Sequence, residues 1–217
     1  MNYHAPNLPK DKHCFFDRHS NIMATPPANV ARVNQCQHTN NAIFVDRPQI
    51  KETYADGMVT NNPEILLVIS TADCTPILFA DYKKGLVAAV HAGWKGALKG
   101  IIENSLDLMQ KYGSSKENIT AAIGPHFKKQ NFDAKQDMHD MFTEKDKNFA
   151  KYFTPKDNNY LFDMTAFVLE KLQNYGIKDI SMSDIDTYSD PNYNSYRLSC
   201  HQGSPNLKDL NYSTIRL

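Results

Sequence analysis

No apolar run in this chain approaches the roughly 20 residues needed to cross a bilayer. The opening Met1-Asn2-Tyr3-His4-Ala5-Pro6 also lacks the apolar centre of a secretory leader. A cytoplasmic protein with no membrane partner is expected. Excess charge is missing too. Lys+Arg and Asp+Glu both number 24 in 217 residues. Without a basic or acidic block, neither nucleic acid nor an anionic lipid surface is favoured as a partner. Cysteine is sparse and scattered, at positions 14, 36, 74 and 200, with no CxxC. That excludes a disulfide framework and leaves reduced thiols as the expectation. The P-loop, dinucleotide-fingerprint, HExxH, GxSxG and zinc nucleobase-deaminase signatures are all absent.

What is present fits one soluble domain spanning 1–217, with an irregular segment over 1–30 where Pro6, Pro9, Pro26 and Pro27 interrupt any long element. A short strand is expected at Cys14-Phe15-Phe16 and another at Ala42-Ile43-Phe44-Val45. The apolar runs at 64–69, 76–80 and 86–91 are long enough for buried strands and too short for helices. The turn Asp81-Tyr82-Lys83-Lys84-Gly85 makes the last two a hairpin at the centre of a sheet. From Trp94 to Tyr112, Ala97, Leu98, Ile101, Ile102, Leu106 and Met109 form one apolar stripe at helical spacing, with Gly113 as the stop. A strand over 118–123, a surface helix over 134–147, a helix capped by Asp163 and stopped by Gly176, a strand over 177–185 and an edge strand over 212–217 complete the expectation. Strands and helices mix without regular alternation, so the class is α+β: a sandwich of one mixed sheet with helices packed on it.

Cys74 and His91 stand at the ends of the two hairpin runs, where a plain core would place Val or Leu. Pairing of those runs would aim both heads at one point. His38, next to another run, is the third candidate. One thiolate and two imidazoles suit zinc, and three protein ligands leave a position open for water. On residue types alone a metal centre, an activated thiolate and an inert core cysteine all stay open. Gly93-Trp94-Lys95-Gly96 opens the expected helix directly after His91. Its free N–H groups and Lys95 suit phosphate or a carboxylate, and Trp94 offers a flat wall or core packing. Asp73 is a candidate to orient a ligand imidazole, His126 a neighbour on the rim, and Arg197 a substrate or phosphate contact. The remaining histidines, His4, His13, His19, His139 and His201, are expected in solvent.

The segments Thr71-Ala72-Asp73-Cys74-Thr75-Pro76, His91-Ala92-Gly93-Trp94-Lys95-Gly96 and Ile123-Gly124-Pro125 resemble the YfiH/YlmD family in order and spacing, as does Ala55-Asp56-Gly57-Met58-Val59-Thr60. That family has been labelled both multicopper polyphenol oxidase (laccase) and purine nucleoside phosphorylase. The resemblance implies a YfiH-like fold and a metal held by one Cys and two His. Cys74 and His91 carry over directly. Gln35-Cys36-Gln37-His38 stands where the family has Gln-Val-His, which assigns His38 as the first ligand and puts Cys36 where glutamine usually stands, a departure from the motif. Asp17-Arg18-His19-Ser20 matches the family's amino-terminal Arg motif without its glycines. Asn194-Ser195-Tyr196-Arg197 keeps part of the terminal motif, and Asp186-Thr187 replaces Cys-Thr. Arg18 and Arg197 are thereby assigned to the rim.

The implied activities are phosphorolysis of adenosine, inosine and methylthioadenosine, and deamination of adenosine, with Zn2+ as cofactor and a nucleoside and phosphate as the small-molecule partners. Three rivals remain. A copper-dependent polyphenol oxidase is disfavoured, because eight unclustered histidines hardly supply a trinuclear cluster. A metal-free cysteine hydrolase would use Cys74 as nucleophile and His91 as base. A non-enzymatic binding module would need neither. No oligomeric state is encoded.

Overall fold

The computed structural model describes residues 1–20, 22, 28–35 and 38–217. Pro26, Pro27 and Cys36 lie outside the described residues. In chain order the elements are β1 (His13–Phe15), β2 (Val30–Asn34), β3 (Ala42–Phe44), β4 (Gln49–Tyr54), β5 (Gly57–Thr60), β6 (Leu66–Thr71), β7 (Thr75–Asp81) and β8 (Leu86–Ala92). Then come α1 (Trp94–Lys99), α2 (Ile101–Lys111), β9 (Thr120–Ile123), β10 (Asp133–Ala134) and α3 (Gln136–Lys145). The chain continues through β11 (Phe153–Lys156), β12 (Asn159–Phe162), α4 (Met164–Tyr175), β13 (Asp179–Met182), α5 (Tyr196–His201) and β14 (Asn211–Ile215).

The expected hairpin forms. β7 and β8 pair antiparallel from Asp81↔Leu86 back to Pro76↔His91 and Thr75↔Ala92. They occupy the middle of a six-stranded mixed sheet, β13-β9-β7-β8-β5-β3. Both strands are buried along their whole length, because each face of this sheet is covered. Alternation sorts the side chains. Ile77, Phe79, Ala88 and Val90 point to a core shared with the helices. Leu78, Ala80, Val87 and Ala89 point to a second core with Leu67, Ile69 and Ile215. That second core is closed by another sheet, β1-β14-β6-β2-β4. The fold is therefore α+β with three layers, sheet on sheet on helices, plus a small sheet β10-β12-β11 beside α3.

Several expectations need correction. Where one mixed sheet was expected there are two, and the run at 64–69 becomes β6 in the second, because a buried strand reads the same whichever sheet it joins. β14 is not an edge: β1 pairs with it on one side and β6 on the other. The helix expected over 94–112 is two helices. Gly100 takes φ +99°, closes α1 by donating its N–H to Ala97 O, and starts α2. The stripe survives the break, since Ala97, Leu98, Ile101, Ile102, Leu106 and Met109 are all buried. As expected, Asp163 caps α4 by accepting from Ala166 N, and Gly176 ends it in the left-handed region. His13 is buried rather than solvated: its Nε2 accepts from Ala5 N and its Nδ1 bonds Pro9 O. Among the described residues no helix is long and apolar enough to cross a membrane.

Candidate metal centre

The central hairpin does the positioning. Cys74 sits immediately before β7 and His91 one residue before the end of β8, and the pairing Pro76↔His91 brings the two strand ends level. His38 arrives from the loop before β3. Its Nε2 lies 3.6 Å from Cys74 Sγ, and its ring centroid 5.0 Å from that of His91. One donor atom from each of His38, Cys74 and His91 falls within 4.8 Å of the other two. Gly93 makes room: a Cβ there would run into the His38 ring and stand 3.2 Å from Cys74 Sγ.

One buried carboxylate organises the cluster. Asp56, 1% exposed, accepts from His91 Nδ1 at 2.7 Å. Its second oxygen accepts from Thr39 Oγ1 at 2.8 Å and from the Thr39 backbone N–H. So Asp56 fixes the His91 ring through Nδ1, leaving Nε2 for the cluster, and ties down the residue after His38. Electrostatics follow from this layout. Burial pushes the Cys74 thiol up, but His91 and the hydrogen bond from His38 outweigh it, so the thiol lies below its ordinary value. Burial pulls His91 down, while Cys74 and Asp56 push it above its ordinary value. Burial raises Asp56, and its bonds to His91 and Thr39 bring it lower overall.

These groups fit a divalent cation. A thiolate and two imidazoles are soft and borderline donors. Around a tetrahedral zinc, with Zn–S near 2.3 Å and Zn–N near 2.0 Å, sulfur and nitrogen stand about 3.5 Å apart, close to the spacing of His38 and Cys74. The carboxylate behind His91 is the usual partner of a metal-bound imidazole.

Beside the cluster opens a cavity of about 210 Å³, small against the roughly 300–1,000 Å³ of drug-sized sites. Its walls include Trp94, Phe127, Phe132, Met164, Tyr196 and Arg197. Thr75 also lines it; its buried hydroxyl has no hydrogen-bond partner among the described residues.

Not every candidate joins the site. Lys95 is exposed, with its ammonium 5.2 Å from the Trp94 ring centroid. It does not line the cavity, because α1 carries it outward. Arg18 is exposed and lines a separate groove with Tyr193 and Asn194. Asp73 orients no imidazole. Its carboxylate accepts instead from Thr187 Oγ1 and Arg197 N. His126 is fully buried, not on the rim, bonded to Gly124 O and Thr165 Oγ1. Sequence reasoning missed Asp56 as the orienting carboxylate. It lies 35 positions before His91, and only its place in the Ala55–Thr60 segment drew attention to it. The aromatic wall of Phe127 and Phe132 was also missed, since neither residue lies in a motif.

Residues 12–204 match the family described as multi-copper polyphenol oxidoreductase laccase. A Rickettsia conorii protein named purine nucleoside phosphorylase is 35% identical over 171 residues, covering 77% of this chain and 70% of that one. The Escherichia coli purine nucleoside phosphorylase YfiH is 31% identical over 144 residues, 66% of this chain and 58% of its own. Among solved structures, a Neisseria meningitidis protein superposes with a TM-score of 0.85 at 21% identity, over 100% of this chain and 98% of that one. The Bacillus licheniformis protein YfiH gives 0.76 at 26% identity, over 93% and 79%.

Proposed function

The chain belongs to this YfiH-type family, and on that premise we propose that it is a zinc-dependent purine nucleoside enzyme, formed as one domain over 1–217. The reactions are phosphorolysis of adenosine, inosine or methylthioadenosine and deamination of adenosine. The observation that carries the reading is the His38–Cys74–His91 cluster, two of whose residues, His38 and Cys74, line an aromatic-walled cavity. The relatives named purine nucleoside phosphorylase support the nucleoside class.

In this reading His38, Cys74 and His91 hold the zinc. When bound, zinc supplies Lewis acidity and brings the pKa of a coordinated water to about 7. Asp56 keeps the His91 proton on Nδ1, so the ring presents Nε2. Trp94 and Phe127 offer faces against which a purine stacks. Arg197, the cationic side chain in the cavity wall, takes the phosphate through its planar fork. In phosphorolysis a phosphate oxygen bonds to the ribose C1′ as the C1′–N9 bond breaks, and the base leaves with a proton. Lys95 and Arg18 hold no part in this reading.

The described residues bring together one group of three ligand side chains. That suits a single ion better than the several coppers of a multicopper oxidase. The test is direct. Zinc-loaded protein with phosphate should release hypoxanthine from inosine and adenine or inosine from adenosine, and Cys74→Ala should abolish each. Protein carrying one zinc per chain that yields none of these products refutes the proposal, and phenol oxidation dependent on added copper would replace it.

A further inference from the structure

Asp73 is a non-glycine residue at φ +85°. A branched or bulky residue avoids this region, and where Asp occupies it the surroundings must hold it there. Here they do, through three separate chain segments. The Asp73 carbonyl accepts from Phe127 N at 3.0 Å. Its Oδ1 accepts from Thr187 Oγ1 at 2.9 Å, and its Oδ2 from the backbone N–H of Arg197 at 2.7 Å.

Two of the held segments form the cavity wall. Phe127 and Arg197 both line it, and the Arg197 guanidinium carbon stands 5.5 Å from the Phe127 ring centroid. Asp73 thus grips one of these residues by its backbone and the other by its carboxylate. The next residue along the chain is Cys74. α5 is only six residues long and contributes no buried residue to the core, so packing alone gives it little hold.

We propose that Asp73 is a positioning residue: a clasp that sets the Arg197–Phe127 wall at a fixed offset from Cys74, so that a bound nucleoside or phosphate faces the metal ligands. This rests on the function proposed above. It assigns Asp73 to the wall and not to the metal.

Substitutions separate the clasp from the backbone strain. Asp73→Gly accepts the positive φ freely and removes the carboxylate. Asp73→Asn tolerates the same φ and keeps an acceptor for Arg197 N–H, with its amide turned to the Thr187 hydroxyl. With zinc-loaded full-length protein, Asp73→Gly should raise KM for inosine and for phosphate tenfold or more, with a much smaller change in kcat. Its zinc content should stay at one per chain. Asp73→Asn should recover most of the loss. Hydrogen exchange read on peptides covering 195–202 should show faster exchange in Asp73→Gly and near-normal exchange in Asp73→Asn.

A folded, zinc-replete Asp73→Gly with unchanged KM overturns the clasp. So does loss of zinc in that variant, which would place Asp73 in support of the metal. If the unaltered protein turns over no nucleoside, the proposed function fails, and the exchange experiment still decides on the clasp. Unchanged protection of 195–202 in Asp73→Gly overturns it.

Discussion

Replacing Asp56 by Asn should cost zinc affinity more than its near-identical shape implies. The carboxylate accepts three hydrogen bonds, from His91 Nδ1, Thr39 Oγ1 and Thr39 N, at a site 1% exposed. Asparagine keeps one acceptor oxygen. If that oxygen serves His91, the amide NH2 faces the Thr39 N–H, and two donors oppose each other in a dry environment. If it serves Thr39, the amide faces His91 Nδ1 and forces the other tautomer, which moves the lone pair away from the cluster. Either way one charge-assisted bond is lost, worth about 1.5–3 kcal/mol. Loss of such an outer partner weakens metal binding about 10- to 100-fold, or about 1.4–2.7 kcal/mol. The two ranges overlap. Competition against a chromophoric chelator reads the affinity. Thermal unfolding with and without excess zinc gives an independent measure, because zinc-dependent stabilisation should shrink by the same amount. A folded Asp56→Asn binding zinc within twofold of the unaltered protein would refute the assigned role of this carboxylate.

Three further outcomes are expected. At pH 7, iodoacetamide should label Cys74 rapidly after chelation and slowly with zinc bound; Cys14, which burial holds near 12, should stay unlabelled. Equal Cys74 labelling in both states would favour the metal-free hydrolase reading. His126 is held down at about 3, first by burial and then by Lys128, so the unfolded chain binds the extra proton between pH 6.5 and 3. Stability should therefore be full above pH 6.5 and fall below it, by roughly 2 kcal/mol at pH 5 from this group. In His126→Gln that share of the pH 7-to-5 loss should vanish in chemical denaturation, and an unaltered loss contradicts the assignment. Gly100→Ala should destabilise by about 1–2 kcal/mol, because φ is +99°; in one continuous helix the same change would stabilise by about 0.5–1 kcal/mol. The sign of the change in the denaturation midpoint decides.

Much of this was legible because local signals and tertiary demands agreed. The β7–β8 hairpin combined two apolar runs with a turn at the right length. Asp163 and Gly176 marked both ends of α4 by cap chemistry alone. Cys74 and His91 were visible because polar, chemically capable residues stood where apolar ones belonged. Failures came where the deciding interaction was distant. Whether 64–69 joined β7 or a second sheet depended on which strands lay across it, and its continuous hydrophobicity fits either. The break at Gly100 was masked because the apolar stripe continues through it. Lys95 was assigned to the pocket from its position after His91, but α1 turns it outward. The orienting role expected of Asp73 falls to Asp56. Adjacency to Cys74 pointed to the first, while the partner of His91 came from the neighbouring strand pair, where the register sets β5 against β8.

The central claim is that His38, Cys74 and His91 hold one zinc ion. Anomalous diffraction collected on both sides of the zinc edge, from crystals of protein purified without added metal, tests it most directly. A single peak is predicted about 2.3 Å from Cys74 Sγ and about 2.0–2.1 Å from a ring nitrogen of each histidine. A peak at the copper edge instead, or a zinc peak elsewhere with Cys74 Sγ unligated, would contradict the account.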